Sequence, residues 1–236
     1  MVSLTCISGG ILMKAHKLII LALAALLCLS ACAKGGSTGN DEPVENNTPT
    51  EDTAVLLDGI GRGTINGSTY RNDYIGLGFT LPEGWFFYDD DQIAYINNMT
   101  KEKFEGTKVE TALEESGQFT DMMAQSSNGT SNINVIITTG GTALKLYTDE
   151  QLFTMTQSIY EEQLAGSGMT IKDYQIKKTV KNGEEKTYLY MLVEMDGASF
   201  KEYQVYVRPG SDYVGIATIT LAVDEDPEPY LERLDW

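Results

Sequence analysis

Three Asn-Gly pairs, Asn66-Gly67, Asn128-Gly129 and Asn182-Gly183, stand between stretches rich in β-branched and aromatic residues, and they constrain the fold more than any other feature of the chain. A type I′ turn needs positive φ at both central positions, which Asn and Gly tolerate and most residues do not. Each pair therefore predicts a β-hairpin. The first joins residues 59–65 to 68–71 and is followed by a strand over 74–81 that ends at Pro82-Glu83-Gly84. The second joins 119–126 to 131–139, where Ile133, Val135 and Ile137 alternate with Asn and Ile. The third joins 169–180 to 184–195; Asp196-Gly197 then turns the chain into 200–208, and Pro209-Gly210-Ser211-Asp212 turns it into 213–223. Hairpins in succession build an antiparallel sheet.

Helices fill the intervals. Thr148-Asp149-Glu150-Gln151 has the spacing of a capping box, with acids in the first turn that suit the helix dipole. The helix it opens runs to about Leu164, with Leu152, Met155, Ile159, Tyr160 and Leu164 as its apolar stripe and Gly166 and Gly168 at its end. A second helix follows Asp89 and uses Ile93, Ala94 and Ile96; a third covers 108–115, and a last helical turn fits 228–234. The expected fold class is α+β: an antiparallel β-sheet built of hairpins and flanked by helices, with the main helix on one face.

The N-terminal part has a different character. Lys14 and Lys17 precede an apolar run over 18–29, followed by Leu29-Ser30-Ala31-Cys32. That run is too short for the roughly 20 residues a membrane-spanning helix needs, and its basic flank is that of a cleavable secretory signal. Leu-Ser-Ala-Cys is a lipobox, in which cleavage falls before Cys32 and the sulfur takes a diacylglyceryl group. The alternative is an ordinary signal peptide with a chance cysteine near its cleavage site. Residues 1–12 carry no charge, so translation is expected to start at Met13. The chain thus divides into a leader and signal peptide over 1–31, a lipid-anchored linker over 32–55 and an α+β domain over 56–236. The linker is Gly, Ser, Thr, Asn, Asp, Glu and Pro with few large apolar side chains, a composition that cannot offset chain entropy. Two or three acyl chains anchor stably where one holds reversibly. The expected location is the cell membrane, lipid-anchored through Cys32 and facing outside the cytoplasm.

Subtraction bounds the chemistry. Of three cysteines, Cys6 and Cys28 fall in the leader, as does the one histidine, His16. After cleavage only Cys32 remains, so no disulfide forms within one chain, and Cys-His and Ser-His-Asp catalysis and thiolate or imidazole zinc sites are all removed. Carboxylate pairs and Ser-Lys pairs can still catalyse, yet no Ser-x-x-Lys motif is present. The chain holds 34 Asp and Glu against 17 Lys and Arg, a net charge of −17 that grows more negative once Lys14 and Lys17 leave. Such a surface repels nucleic acid and anionic lipid and attracts cations and basic partners.

Asn72-Asp73-Tyr74-Ile75-Gly76-Leu77-Gly78-Phe79-Thr80-Leu81-Pro82-Glu83-Gly84-Trp85, with Asp91-Gln92-Ile93 soon after, resembles the opening of Gram-positive gut-bacterial lipoproteins whose domains are similar to the PsbP and Mog1 fold. The resemblance implies an antiparallel sheet flanked by helices in proteins that act as accessory or binding factors. It carries over no ligand residue, since fold does not fix function. Within the motif, Pro82 presets a turn and Gly84 frees φ so that Trp85 reaches the sheet-helix core. The alternative is that Trp85, Phe86, Phe87 and Tyr88 form an exposed aromatic platform for a sugar or a partner. Of 13 tyrosines, Tyr188, Tyr190, Tyr203 and Tyr206 fall on expected strands with one face buried.

The acidic runs fit structure better than metal. Asp89-Asp90-Asp91 lacks the alternate spacing of a calcium loop and reads as a helix cap. Asp224-Glu225-Asp226 reads as a solvated link into the last helix, with a weak calcium or magnesium site as the alternative. Gly59-Ile60-Gly61-Arg62-Gly63 has no helix after it to make a phosphate loop, and Gly140-Gly141 reads as a turn. No catalytic residue, cofactor or metal ligand is assigned, and the chain is not expected to be an enzyme. The expected function is a membrane-anchored surface lipoprotein with a noncatalytic binding or accessory role toward an unidentified protein or envelope component. A small-molecule or cation receptor is the alternative, with a carboxylate-dependent glycan hydrolase behind it.

Overall fold

The computed structural model describes residues 60–139, 146–208 and 213–236. Cys32, the leader, the linker, Gly140-Gly141 and the turn at Pro209-Gly210-Ser211-Asp212 lie outside the described residues. The fold is α+β, and its strands form two antiparallel sheets where the hairpin pattern predicts one. The smaller comprises β1 (Thr64–Asn66), β2 (Thr69–Asn72), β3 (Leu77–Thr80) and the C-terminal β11 (Leu234–Asp235), in the order β1-β2-β3-β11. The larger has seven strands: β4 (Trp85–Phe87), β5 (Gln118–Ser126), β6 (Asn132–Thr139), β7 (Met169–Lys181), β8 (Glu184–Met195), β9 (Ala198–Val207) and β10 (Tyr213–Ala222). Their order is β4-β5-β6-β10-β9-β8-β7. The meander β7 to β10 therefore starts at the far edge and works back until β10 meets β6.

Turn chemistry explains most of this and corrects part of it. Asn182-Gly183 and Asp196-Gly197 have positive φ at both positions, 54° and 82° in the first and 52° and 79° in the second, as a type I′ hairpin requires. At the first hairpin Asn66 pairs with Thr69, so Gly67-Ser68 forms the turn and glycine alone takes positive φ. At the second, Asn128 accepts bonds from Ser126 Oγ at 2.6 Å and Thr130 Oγ1 at 2.9 Å, and its side chain organises a wider loop. β1 is shorter than expected because the chain before it runs against two tyrosine rings. A Cβ on Gly61 would lie 2.6 Å from a Tyr74 ring carbon, and one on Gly63 would lie 2.3 Å from a Tyr70 ring carbon. Those glycines serve close packing.

The helices are α1 (Asp90–Ile96), α2 (Lys101–Gly106), α3 (Val109–Ser116), α4 (Asp149–Gly166) and α5 (Glu228–Arg233). Capping boxes open α1 at Asp89 with Gln92 and α4 at Thr148 with Gln151. α2 is absent from the sequence-based expectation; it buries one residue, Phe104, stacked 5.7 Å from Phe119, and so has no apolar period to read. In α4 the buried stripe is Leu152, Phe153, Thr156, Tyr160 and Leu164, while the expected Met155 is exposed. Thr156 enters the core because its hydroxyl bonds the Phe153 carbonyl at 3.2 Å. α1 and α3 pack against β5 on one face of the large sheet; α4 packs against β7 and β8 on the other. β6 and β10 are buried on both faces. Among the described residues no helix is long and apolar enough to cross a membrane.

Candidate functional site

Alternation along the central strands places their even-numbered residues on the α4 face. On β10, Thr220 sits opposite Asn132 of β6 and Glu202 of β9, and Thr218 sits opposite Asn134 and Gln204. Six polar side chains thus form a block two residues deep and three strands wide. All are buried, Glu202 with 1% of its surface exposed and Gln204 with 2%. The polar residues of β6 alternate with apolar ones in sequence, a pattern that predicts a solvated face. The structure reverses that expectation, because the partners of each residue are fixed only once β10 joins β6 to β9.

Buried polar atoms are ordinarily paired. Here four oxygens have no hydrogen-bond partner: Glu202 Oε2, Thr220 Oγ1, Asn132 Oδ1 and Asn134 Oδ1. At the α4 edge of the block, Tyr160 Oη donates to Gln204 Oε1 at 3.0 Å and lies 3.0 Å from Tyr206 Oη. At the β5 edge, Gln125 stands opposite Asn132 and accepts from Tyr88 Oη at 2.8 Å. The margins are therefore pinned while the centre is not. Burial pushes the Glu202 carboxyl up to about 8, and no charged neighbour contributes to the shift. Burial likewise raises the Tyr160 phenol well above its ordinary value, with Tyr206 and then Tyr174 adding to it.

A second buried carboxylate, Asp121, sits at the β-bulge between Thr120 and Met122. Its Oδ2 accepts from Tyr70 Oη at 2.6 Å, Asn72 Nδ2 at 2.8 Å and the Gly63 amide at 2.8 Å. Arg62 Nε lies 3.8 Å from Oδ1, and its guanidinium covers the Phe104 ring at 4.1 Å. Asn72 Oδ1 also accepts from the Tyr74 and Ile75 amides and turns the chain between β2 and β3. This network ties the small sheet to the large one.

The residues singled out by sequence mostly take structural places. Trp85 is half-buried, its ring 5.4 Å from Tyr230, while Phe86 is exposed and stacks at 6.3 Å on Tyr88. Tyr203 and Tyr206 are buried and Tyr188 and Tyr190 half-buried. Asp89 caps α1, Asp90 pairs with Arg62 at 2.9 Å and Asp91 with Lys101 at 2.9 Å. Glu225 accepts from Ser131 Oγ and Tyr230 Oη, and Asp226 from the Glu228 amide at 3.1 Å. Among the described residues no group of three His, Cys, Asp or Glu is placed to hold a metal ion. A cleft of about 540 Å³ runs beside Thr148, Lys178, Glu185 and Arg208. Its charges pair internally, Arg208 with Asp149 at 2.6 Å and Lys178 with Glu185 at 2.9 Å.

No protein-family model matches the chain, and no curated protein sequence matches it. Among solved structures it is similar to cyanobacterial PsbP (CyanoP) from Synechocystis, with 11% identity and a TM-score of 0.43 over 75% of this chain and 94% of that one. It is also similar to a protein from Bacteroides thetaiotaomicron, with 8% identity and a TM-score of 0.38 over 74% of this chain and 47% of that one.

Proposed function

We propose that this chain is a membrane-anchored surface lipoprotein of the kind found in Gram-positive gut bacteria, and that its α+β domain binds without catalysing. The address comes from Leu29-Ser30-Ala31-Cys32 behind a basic, apolar leader. The noncatalytic side of this reading is supported by one observation: the unsatisfied groups at the centre of the large sheet are amide, hydroxyl and carboxyl oxygens, which can hold a ligand but supply no nucleophile-base pair. Glu202 has no second charged group acting on it, whereas glycoside hydrolysis needs two carboxyl groups facing one bond. A partner in the envelope is the principal reading. A receptor for a small molecule or cation is the second, favoured by the same four oxygens.

Membrane fractionation of the native host tests the address. The unaltered chain stays with the membrane, and Cys32→Ala or inhibition of the lipoprotein signal peptidase releases or mislocalises it. An unchanged membrane fraction contradicts the anchor. Co-purification with the anchor intact tests the partner: recovery of the chain alone under conditions that preserve envelope complexes argues for the receptor reading.

A further inference from the structure

We infer that Glu202, Thr220, Asn132 and Asn134 hold a monovalent alkali cation, sodium or potassium, at the centre of the seven-stranded sheet; this deepens the receptor reading above and rests on it. The first support is chemical type. The four atoms of this block without partners are all oxygens, and hard cations take oxygen ligands from carboxylates, amide carbonyls and hydroxyls. Among the described residues no basic side chain bonds to them, and the hydroxyl at the margin, on Tyr160, is already committed to Gln204.

The second support is placement. Thr220 lies between Asn132 on β6 and Glu202 on β9, and Asn134 is two residues along β6 from Asn132 on the same face. Directly opposed residues of an antiparallel pair have Cβ atoms about 5 Å apart. Side chains from both flanking strands therefore converge over the threonine. Thr220 has 3% of its surface exposed, Asn132 7% and Asn134 6%, so the block is nearly closed and its least buried side is β6.

The third support is charge. One carboxylate and three neutral oxygens balance a single positive charge. A divalent ion would leave net charge in a buried place, which is costly, and an empty block leaves the oxygens unpaired. The chain carries a net charge of −17, which concentrates cations around it.

Thermal unfolding of the full chain in sodium, potassium and choline chloride at equal ionic strength tests this at a pH above 8. Sodium or potassium at tenfold to hundredfold over its Kd raises Tm above the choline value by about 3–10 °C. Glu202→Gln keeps the shape of the side chain, and it removes the difference between salts. Asn134→Asp adds a second negative charge and moves the preference toward calcium. Sodium-23 line broadening on titration with protein, lost in Glu202→Gln, reports occupancy without reference to stability. Equal Tm in all three salts, a salt-specific shift that survives Glu202→Gln, or a response to calcium alone in the unaltered chain overturns the inference. These outcomes are distinct from failure of the receptor reading. A salt-blind Tm sinks the ion and leaves a neutral small-molecule ligand standing, whereas recovery of the chain in an envelope complex together with a salt-specific Tm sinks the receptor reading and leaves the ion standing.

Discussion

The domain buries one carboxylate at its sheet junction and another on the opposite face of its large sheet, and it keeps them by opposite means. Asp121 is surrounded: a phenol, an amide and a backbone N–H donate to one oxygen, and Arg62 stands by the other. Glu202 is isolated, with Oε2 unpaired among three further unpaired oxygens. Asp121 Oδ1 has no hydrogen bond, but Arg62 Nε lies 3.8 Å from it. A buried carboxyl that gathers donors specifies architecture, since every donor it satisfies belongs to a segment that must be positioned. A buried carboxyl without donors adds nothing to architecture. Its persistence points to something else that completes it.

The largest expected effect breaks the first half of this comparison. Asp121→Ala leaves the Tyr70 hydroxyl, the Asn72 amide and the Gly63 N–H without an acceptor and removes the charge facing Arg62. The expected loss is about 3–5 kcal/mol in urea denaturation, with the small sheet losing hydrogen-exchange protection first. A loss under about 1 kcal/mol would mean the junction is held by apolar packing alone.

Glu202→Gln is expected to act with the opposite sign. The Glu202 carboxyl is pushed up to about 8 in the folded chain, so the folded state holds its proton more tightly than the unfolded chain does. Stability from this group is full at low pH and drains as pH rises from the ordinary carboxyl range through about 8. In choline buffer, Glu202→Gln therefore gains on the unaltered chain across that window, by up to a few kcal/mol at its upper end. Parallel Tm curves for the two chains from pH 4 to 9 would show that Glu202 is not isolated.

Tyr160→Phe sharpens the boundary between the pinned margin and the open centre. It removes the bond to Gln204 Oε1 and the contact with Tyr206 Oη, at a cost of about 1–2 kcal/mol in urea denaturation. It is expected to leave the response to sodium and potassium intact. Loss of that response would place the phenol inside the site. Smallest is Thr148→Ala at the exposed N-cap of α4, about 1 kcal/mol, seen as faster amide exchange in the first turn. No change there would show that tertiary packing alone sets where α4 begins.

What could be read from sequence was local, and what could not was set by distant pairing. The Asn182-Gly183 and Asp196-Gly197 turns, the capping boxes at Asp89 and Thr148 and the extents of β7 to β10 are written in short-range chemistry. The division into two sheets depends on Asp121, whose partners lie 49 to 58 positions away. Its signal was the one charged residue in an otherwise uncharged strand, and that signal becomes meaningful only beside Tyr70 and Asn72. The oxygen block was hidden for the same reason. Asn132 and Asn134, Glu202 and Gln204, and Thr218 and Thr220 each look like the wet side of a strand, and the register that stacks them buries that side. The motif from Asn72 to Trp85 proved to be turn geometry and junction packing, with the candidate site elsewhere.

The central claim is that the unpaired oxygens are completed by an ion while Asp121 needs none. Diffraction from crystals soaked in rubidium, a heavier alkali cation with an accessible absorption edge, measures this directly. The account predicts an anomalous peak over Thr220, within bonding distance of Glu202 Oε2 and both asparagine amide oxygens, and none beside Asp121. A block filled by water or left empty, with no anomalous signal at saturating rubidium, would contradict it.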